Sequence, residues 1–181
     1  IAYGLDPQTC RPADITQRHD QGMRELEAPE MIPAGEAPIK EVVRTGDAVD
    51  LGKLPFFRNA EKDSRPGWIA PIYVCRDLDT GQYNLSWHRG QYVSQRRMTA
   101  RFYPGRDIYN NFNRHVAAGK PMRTVAVIGH HPVFGDGAGT SFAAGIDEYS
   151  GVGGIYRKAT GNRLRVTSSE LWGDEMLVPA D

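Results

Sequence analysis

The sequence predicts a mixed α+β fold, a small β-barrel or sheet with peripheral helices, on three observations. Strand-like runs outnumber helical ones. The two strongest runs flank Asp77-Leu78-Asp79-Thr80-Gly81, a tight-turn pattern that joins hairpins rather than crossovers. The 20 Gly and 12 Pro among 181 residues ask for many turns, more than a helical bundle tolerates.

Taken in order, residues 1–13 are polar and turn-rich. Ile15, His19, Met23 and Leu26 then follow at helical spacings, with Asp14 placed as N-cap, which predicts an amphipathic helix from Asp14 to about Glu27. Pro29 to Pro38 reads as a linker, so residues 1–36 form an N-terminal helix and linker ahead of a main domain at 37–181. Ile39 to Arg44 reads as a strand turned by Thr45-Gly46-Asp47, with Val49, Leu51 and Leu54 continuing an edge; Asn59 to Gly67 is a charged surface loop. Strands are expected over Trp68–Arg76, Tyr83–Val93 and Met98–Tyr103, the last stopped by Pro104-Gly105. Asp107 is placed to cap a helix in which Ile108, Phe112 and Val116 recur every four residues until Gly119. Thr124 to Ile128 reads as a buried strand and 129–145 as a loop with Gly135, Gly137 and Gly139 in alternation. Asp147 to Tyr156 reads as a helix weakened by Gly151, Gly153 and Gly154, and Arg163 to Leu171 as another strand.

Lys+Arg and Asp+Glu are both 22, which excludes nucleic-acid binding driven by bulk charge. No run reaches membrane-spanning length. Cys10 and Cys75 are too few for a disulfide framework or a zinc site, and a reducing, cytoplasmic setting is expected. The chain starts at Ile1 without a Met and stops in a strand-like run, Leu177 to Asp181, which reads as part of a longer protein.

The chemistry gathers at Tyr83-Asn84-Leu85-Ser86-Trp87-His88-Arg89-Gly90. On a strand Asn84, Ser86 and His88 share one face, and Leu85, Trp87 and Arg89 the other. Asn84, Asp107 and Glu148 together offer hard oxygen ligands, and Arg89 a fixed cation, the makings of a site for a metal, a phosphate and a carboxylate. A surface stripe is the competing reading. Gly135-Asp136-Gly137-Ala138-Gly139 is either a flexible turn or a loop whose amides approach a phosphate, with Thr140 and Ser141 adding hydroxyls. His130 and His131 would point to opposite faces of an extended chain and so would not share an ion. His19 and His115 read as solvent-facing or half-buried, and Arg96, Arg97 and Arg101 as a solvated basic face or a phosphate contact.

From about Ala37 the chain resembles the UbiD family of prenylated-flavin-dependent decarboxylases. The phrases that carry the resemblance are Gly46-Asp47-Ala48-Val49-Asp50-Leu51 with Leu54-Pro55, Asn84 to Arg89, and Pro104-Gly105-Arg106-Asp107-Ile108. Ala118 to Gly129, Gly145-Ile146-Asp147-Glu148-Tyr149 and Leu177-Val178-Pro179-Ala180 complete the set, in the family's order. The resemblance implies a flavin-reductase-like split β-barrel binding prenylated FMN. It implies Mn²⁺ (or another divalent ion) with K⁺, the metal held by Asn84, Asp107 and Glu148; Asp107 stands where the family usually has His. Ser86, Trp87, His88, Arg106, Thr140 and Ser141 are expected around the cofactor. Arg89 matches the family's catalytic arginine, which belongs to a Glu-Arg-Glu network whose glutamates fall beyond Ala180. The implied reaction is non-oxidative loss of CO₂ from an aromatic or α,β-unsaturated carboxylic acid, the prenylated flavin's iminium carbon taking up the substrate. A homo-oligomer is implied for the full-length protein, with no nucleic-acid or membrane partner. A non-catalytic flavin-binding module and a split-barrel FMN oxidoreductase are the competing readings.

Overall fold

A computed structural model describes residues 2–63 and 67–181. It is mixed α+β, with four α-helices and nine short strands in three three-stranded sheets among those residues. The hairpin predicted around Asp77 is present: β3 (Ile72–Arg76) pairs antiparallel with β4 (Tyr83–Trp87), and Asp77 Oδ1 closes the turn by accepting from the Asp79 and Thr80 amides.

Both long predicted strands are interrupted, and at the same level. Trp68–Arg76 divides into β2 (Trp68–Ile69) and β3 at Ala70-Pro71, where proline has no amide to give a ladder. Tyr83–Val93 divides into β4 and β5 (Gly90–Ser94) at His88-Arg89, where the His88 amide reaches the Pro71 carbonyl at 3.3 Å. One sheet therefore has the order β4-β3-β7, with β7 at Thr124–Val127, and a second the order β2-β5-β6, with β6 at Arg97–Ala100. The third, β1-β8-β9, joins Glu30–Met31 in parallel to Arg165–Ser169, which pairs with Gly173–Pro179. β1 thus lies inside the stretch read as a linker.

Helix α1 runs Pro12–Arg24, two residues earlier than expected. Pro12 takes the first position and Asp14 the third, its carboxylate accepting from the Arg11 amide at 2.8 Å. Helix α2 (Asp107–Ala117) has Arg106 as its cap residue and Asp107 as its first helical residue. Its buried positions are Ile108, Asn111 and His115, while Phe112 and Val116 stay exposed. Asn111 turns inward because its amide donates to the Arg76 carbonyl at 2.8 Å and accepts from the Leu78 amide at 3.1 Å.

Two expectations fail. Ile39–Arg44 is no strand: Pro38–Lys40 forms a 3₁₀ turn, and although the Ile39 amide donates to the Ala180 carbonyl at 2.9 Å, Ile39, Val42 and Val43 stay exposed and form no ladder. Within 129–145, Pro132–Ala138 is helix α3, started by Pro132 and the His131 ring, with Val133 and Phe134 fully buried. Three residues of the expected 59–67 loop, 64–66, lie outside the described residues.

The glycines that weakened the predicted helix at 147–156 are the reason for its packing. Helix α4 (Glu148–Thr160) lies against α1 and the chain that follows it so closely that a Cβ at Gly153 would sit 2.1 Å from the Glu27 carbonyl oxygen, and one at Gly154 2.2 Å from that of Glu25. Contact replaces the roughly 1 kcal/mol that each glycine costs a helix. The core is centred on this helix, where Val152 and Ile155 meet Val74 and Leu85 of the hairpin and Val133 and Phe134 of α3. Tyr73, Cys75 and Ile108 fill the opposite face of β3. No helix among the described residues is long and apolar enough to cross a membrane.

Candidate active site

The register of the hairpin sets the site. Leu85 turns into the core, so its neighbours Asn84 and Ser86 share the other face, beside Cys75 and Tyr73 of β3 and below the start of α2. Helix α4 brings two acids to the same edge. Asp147, its cap, accepts from the Ser150 amide and, at 2.7 Å, from the Tyr83 amide. Glu148 accepts from the Asn84 amide nitrogen at 2.9 Å and from the Leu85 backbone at 2.5 Å.

Burial pushes the Glu148 carboxyl up to about 7; the Leu85 and Asn84 hydrogen bonds pull the other way, and the charges of Asp107 and Asp147 add to the rise. Asp107, exposed on the first turn of α2, is thus close enough for Glu148 to feel it. From Asn84 a chain of contacts runs outward: Ser86 Oγ lies 3.4 Å from Asn84 Oδ1 and 3.0 Å from His88 Nε2, and His88 Nδ1 lies 3.2 Å from the Arg101 carbonyl. His88 is buried, and burial lowers its pKa, as does the charge of Arg106. Among the described residues no three His, Cys, Asp or Glu side chains gather as a metal cage. The oxygens that Asn84, Asp107 and Glu148 bring to this edge are hard donors, the chemistry that suits Mn²⁺ or Mg²⁺.

The other residues singled out in the sequence fall elsewhere. Arg89 is exposed past the strand break, its guanidinium 5.0 Å from the Trp68 ring centre. Trp87 is half exposed and donates from Nε1 to the Gly135 carbonyl at 2.7 Å. Its indole stands between two cavities. One, of about 430 Å³, is lined by Pro71, Ile72, Val127, His130 and His131; the other, of about 490 Å³, by Thr16, His19, Asp136 and Thr140. Thr140 belongs to this second group, donating to the Asp136 carbonyl and meeting His19 Nε2, each at 3.0 Å, while Ser141 is exposed. His19 gave no sign of this place in the sequence, since α1 is brought to Trp87 only by its packing on α4. His130 stacks on Phe134 at 4.3 Å, with both ring nitrogens buried and unpaired.

An acid and an amide joined across a sheet edge, with a second acid and a basic rim nearby, define an oxygen-lined site of the kind that holds a hard cation against an anionic group. The family model described as the 3-octaprenyl-4-hydroxybenzoate carboxy-lyase Rift-related domain of UbiD matches residues 30–181, and the chain belongs to the UbiD family. It is 29% identical over 131 residues to anhydromevalonate phosphate decarboxylase of Archaeoglobus fulgidus, a match taking in 72% of this chain and 28% of that protein. Its fold is similar to that of vanillic acid decarboxylase of Sedimentibacter hydroxybenzoicus in its closed form, with a TM-score of 0.85 and 24% identity over 99% of this chain and 38% of that one. The UbiD-class enzyme HmfF of Pelotomaculum thermopropionicum, solved in complex with FMN, gives a TM-score of 0.79 and 24% identity over 92% of this chain and 36% of its own. The chain therefore spans well under half the length of these proteins.

Proposed function

We infer that this chain is the cofactor-binding part of a decarboxylase that uses prenylated FMN to release CO₂ from an aromatic or α,β-unsaturated carboxylic acid. The observation that carries the reading is the contact of Asn84 with Glu148 at 2.9 Å, where burial, with the charge of Asp107 adding to it, drives the carboxyl up to about 7. Asn84, Asp107 and Glu148 would hold a divalent cation, Mn²⁺ by preference, which with K⁺ would supply positive charge for the cofactor's phosphate. Glu148 gives up its proton as the cation arrives, which ties occupancy to pH. When bound, the prenylated flavin supplies the electron sink for loss of CO₂.

Arg89 grips the substrate carboxylate, a role suited to a fixed, planar cation; the Trp68 ring beneath it restricts where the guanidinium points. Ser86, Trp87, His88, Arg106, Thr140 and Ser141 surround the cofactor, with the Trp87 indole as an apolar wall and its two cavities as the space beside it. We read the strands of residues 37–181 as a flavin-reductase-like split barrel, with β1 joining its third sheet from the segment before residue 37, because the chain passes twice from one sheet into the next, at the Pro71 and His88 breaks. The complete protein is read as a homo-oligomer acting on a small carboxylic acid.

The test is flavin retention. Protein loaded with prenylated FMN, Mn²⁺ and K⁺ should keep its visible absorbance through gel filtration, lose it after chelation, and evolve CO₂ from a panel of aromatic and unsaturated acids. Flavin bound equally well with and without divalent ions refutes the cation's role, and steady consumption of NADH without CO₂ release refutes the decarboxylase.

A further inference from the structure

The chain of contacts leading away from Glu148 has a direction, and its far end sets it. The Arg101 carbonyl only accepts, so His88 Nδ1, which faces it at 3.2 Å, carries the ring hydrogen. The buried ring is neutral, which makes Nε2 a bare lone pair 3.0 Å from the Ser86 hydroxyl. A hydroxyl has a single hydrogen to donate. Nε2 at 3.0 Å takes it in preference to the Asn84 amide oxygen at 3.4 Å, because the shorter contact is the stronger. Toward Asn84 the Ser86 oxygen is then an acceptor, and the partner that suits it is an amide NH₂.

We propose that His88 is a positioning residue which, by making Ser86 an acceptor, holds the Asn84 amide with its NH₂ toward Ser86 and its oxygen toward the cation site. This rests on the reading of Asn84 and Glu148 as cation ligands. Without a cation the amide takes the opposite orientation, since an amide oxygen cannot face a carboxylate, and Asn84 donates to Glu148 at 2.9 Å. Cation binding turns the amide over. A Ser86 hydroxyl released from His88 would donate to the amide oxygen instead and lock the cation-free orientation. The imidazole is itself fixed in place: it is 5% exposed and packs edge-on against Phe102 with ring centres 5.1 Å apart.

Mn²⁺ titrations followed by the electron paramagnetic resonance of the free ion test this. His88→Phe keeps the ring packing and removes the acceptor, and should weaken Mn²⁺ binding by about tenfold, the low end of what loss of a ligand's supporting partner costs. Adding Ser86→Ala to His88→Phe removes the stray donor, and the acceptor with it, and should recover part of that loss, which no general loosening of the fold would do. A double variant as weak as His88→Phe, or a His88→Phe protein that binds as wild type does, overturns the proposal. Nitrogen NMR of the unaltered protein gives a check that needs no variant: His88 should carry its hydrogen on Nδ1, and a hydrogen on Nε2 overturns it. Asn84→Ala separates the two readings, because wild-type Mn²⁺ affinity in that variant would show that the cation site itself is misplaced.

Discussion

Replacing Glu148 by Gln removes the charge whose burial dominates the site while keeping an oxygen for the Leu85 amide. The carboxyl sits at about 7 in the folded chain against 4.5 for a solvated glutamate. At about 1.4 kcal/mol per pH unit, that displacement amounts to about 3 kcal/mol. The sign follows from proton counting. Below the lower value both states hold the proton and there is no penalty; between the two values the folded chain keeps a proton that the unfolded chain has lost, so stability falls as pH rises. Above about 7 the full penalty applies. In urea unfolding of chelator-treated protein, wild type should therefore lose about 3 kcal/mol between pH 4.5 and pH 8 relative to Glu148→Gln. Saturating Mn²⁺ should flatten the wild-type profile and leave the variant's as it was. Parallel pH profiles for the two proteins would refute the reasoning, for they would mean that Glu148 is ionised in the folded chain at little cost.

Three other outcomes are expected. Arg89→Ala should retain flavin yet lose turnover at least about 100-fold, because a charge-assisted pair of about 3 kcal/mol is worth two decades of rate; undiminished CO₂ release removes Arg89 from the mechanism. Asp107→His should hold Mn²⁺ as tightly as wild type or more so, and loss of flavin on that change would show that the ligand has been misplaced. Gly153→Ala drives a methyl into the Glu27 carbonyl, and chemical denaturation should report a loss of about 1–3 kcal/mol; a change under about 0.5 kcal/mol, ordinary for surface positions, would mean that α4 and the chain after α1 are not in tight contact.

What could be read in advance was local chemistry. The Asp77 hairpin was legible because its aspartate and glycine dictate a turn wherever they stand, and α2 because its apolar residues repeat every four positions. Its buried face was not legible, for Asn111 points inward to satisfy backbone groups of a hairpin some 35 residues away in the chain, while the buried His115 ring bonds back to the Asn111 carbonyl of its own helix. Ile39–Arg44 has a strand's composition, but the 3₁₀ turn begun at Pro38 coils the chain where it passes the end of β9, so only the Ile39 amide reaches it and no ladder forms. Helix α3 was hidden by its glycines, and α4 partly so, since close approach of another segment favours glycine where propensity does not. Within the site, Asn84, Ser86 and His88 were placed together by alternation, whereas Asp107 and Glu148 were joined to them by their oxygen chemistry and by the family resemblance, with no spacing in the chain to bring them near. The apposition of His19 to Trp87 had no signal in the sequence.

The tight seam between α1 and α4 bears on where this polypeptide can be cut. The family-model match begins at residue 30, and α1 ends at Arg24, wholly upstream of that border. Yet α4, whose first residue is Glu148, leans its bare glycine stripe on the upstream segment, where Gly22 comes so close that a methyl there would meet the Ile155 backbone at 2.5 Å. Trimming to the border of that match would strip the brace from the helix that carries the Glu148 acid, leaving a protein that satisfies the family pattern and is slack at the hairpin edge where Glu148 meets Asn84 and Leu85.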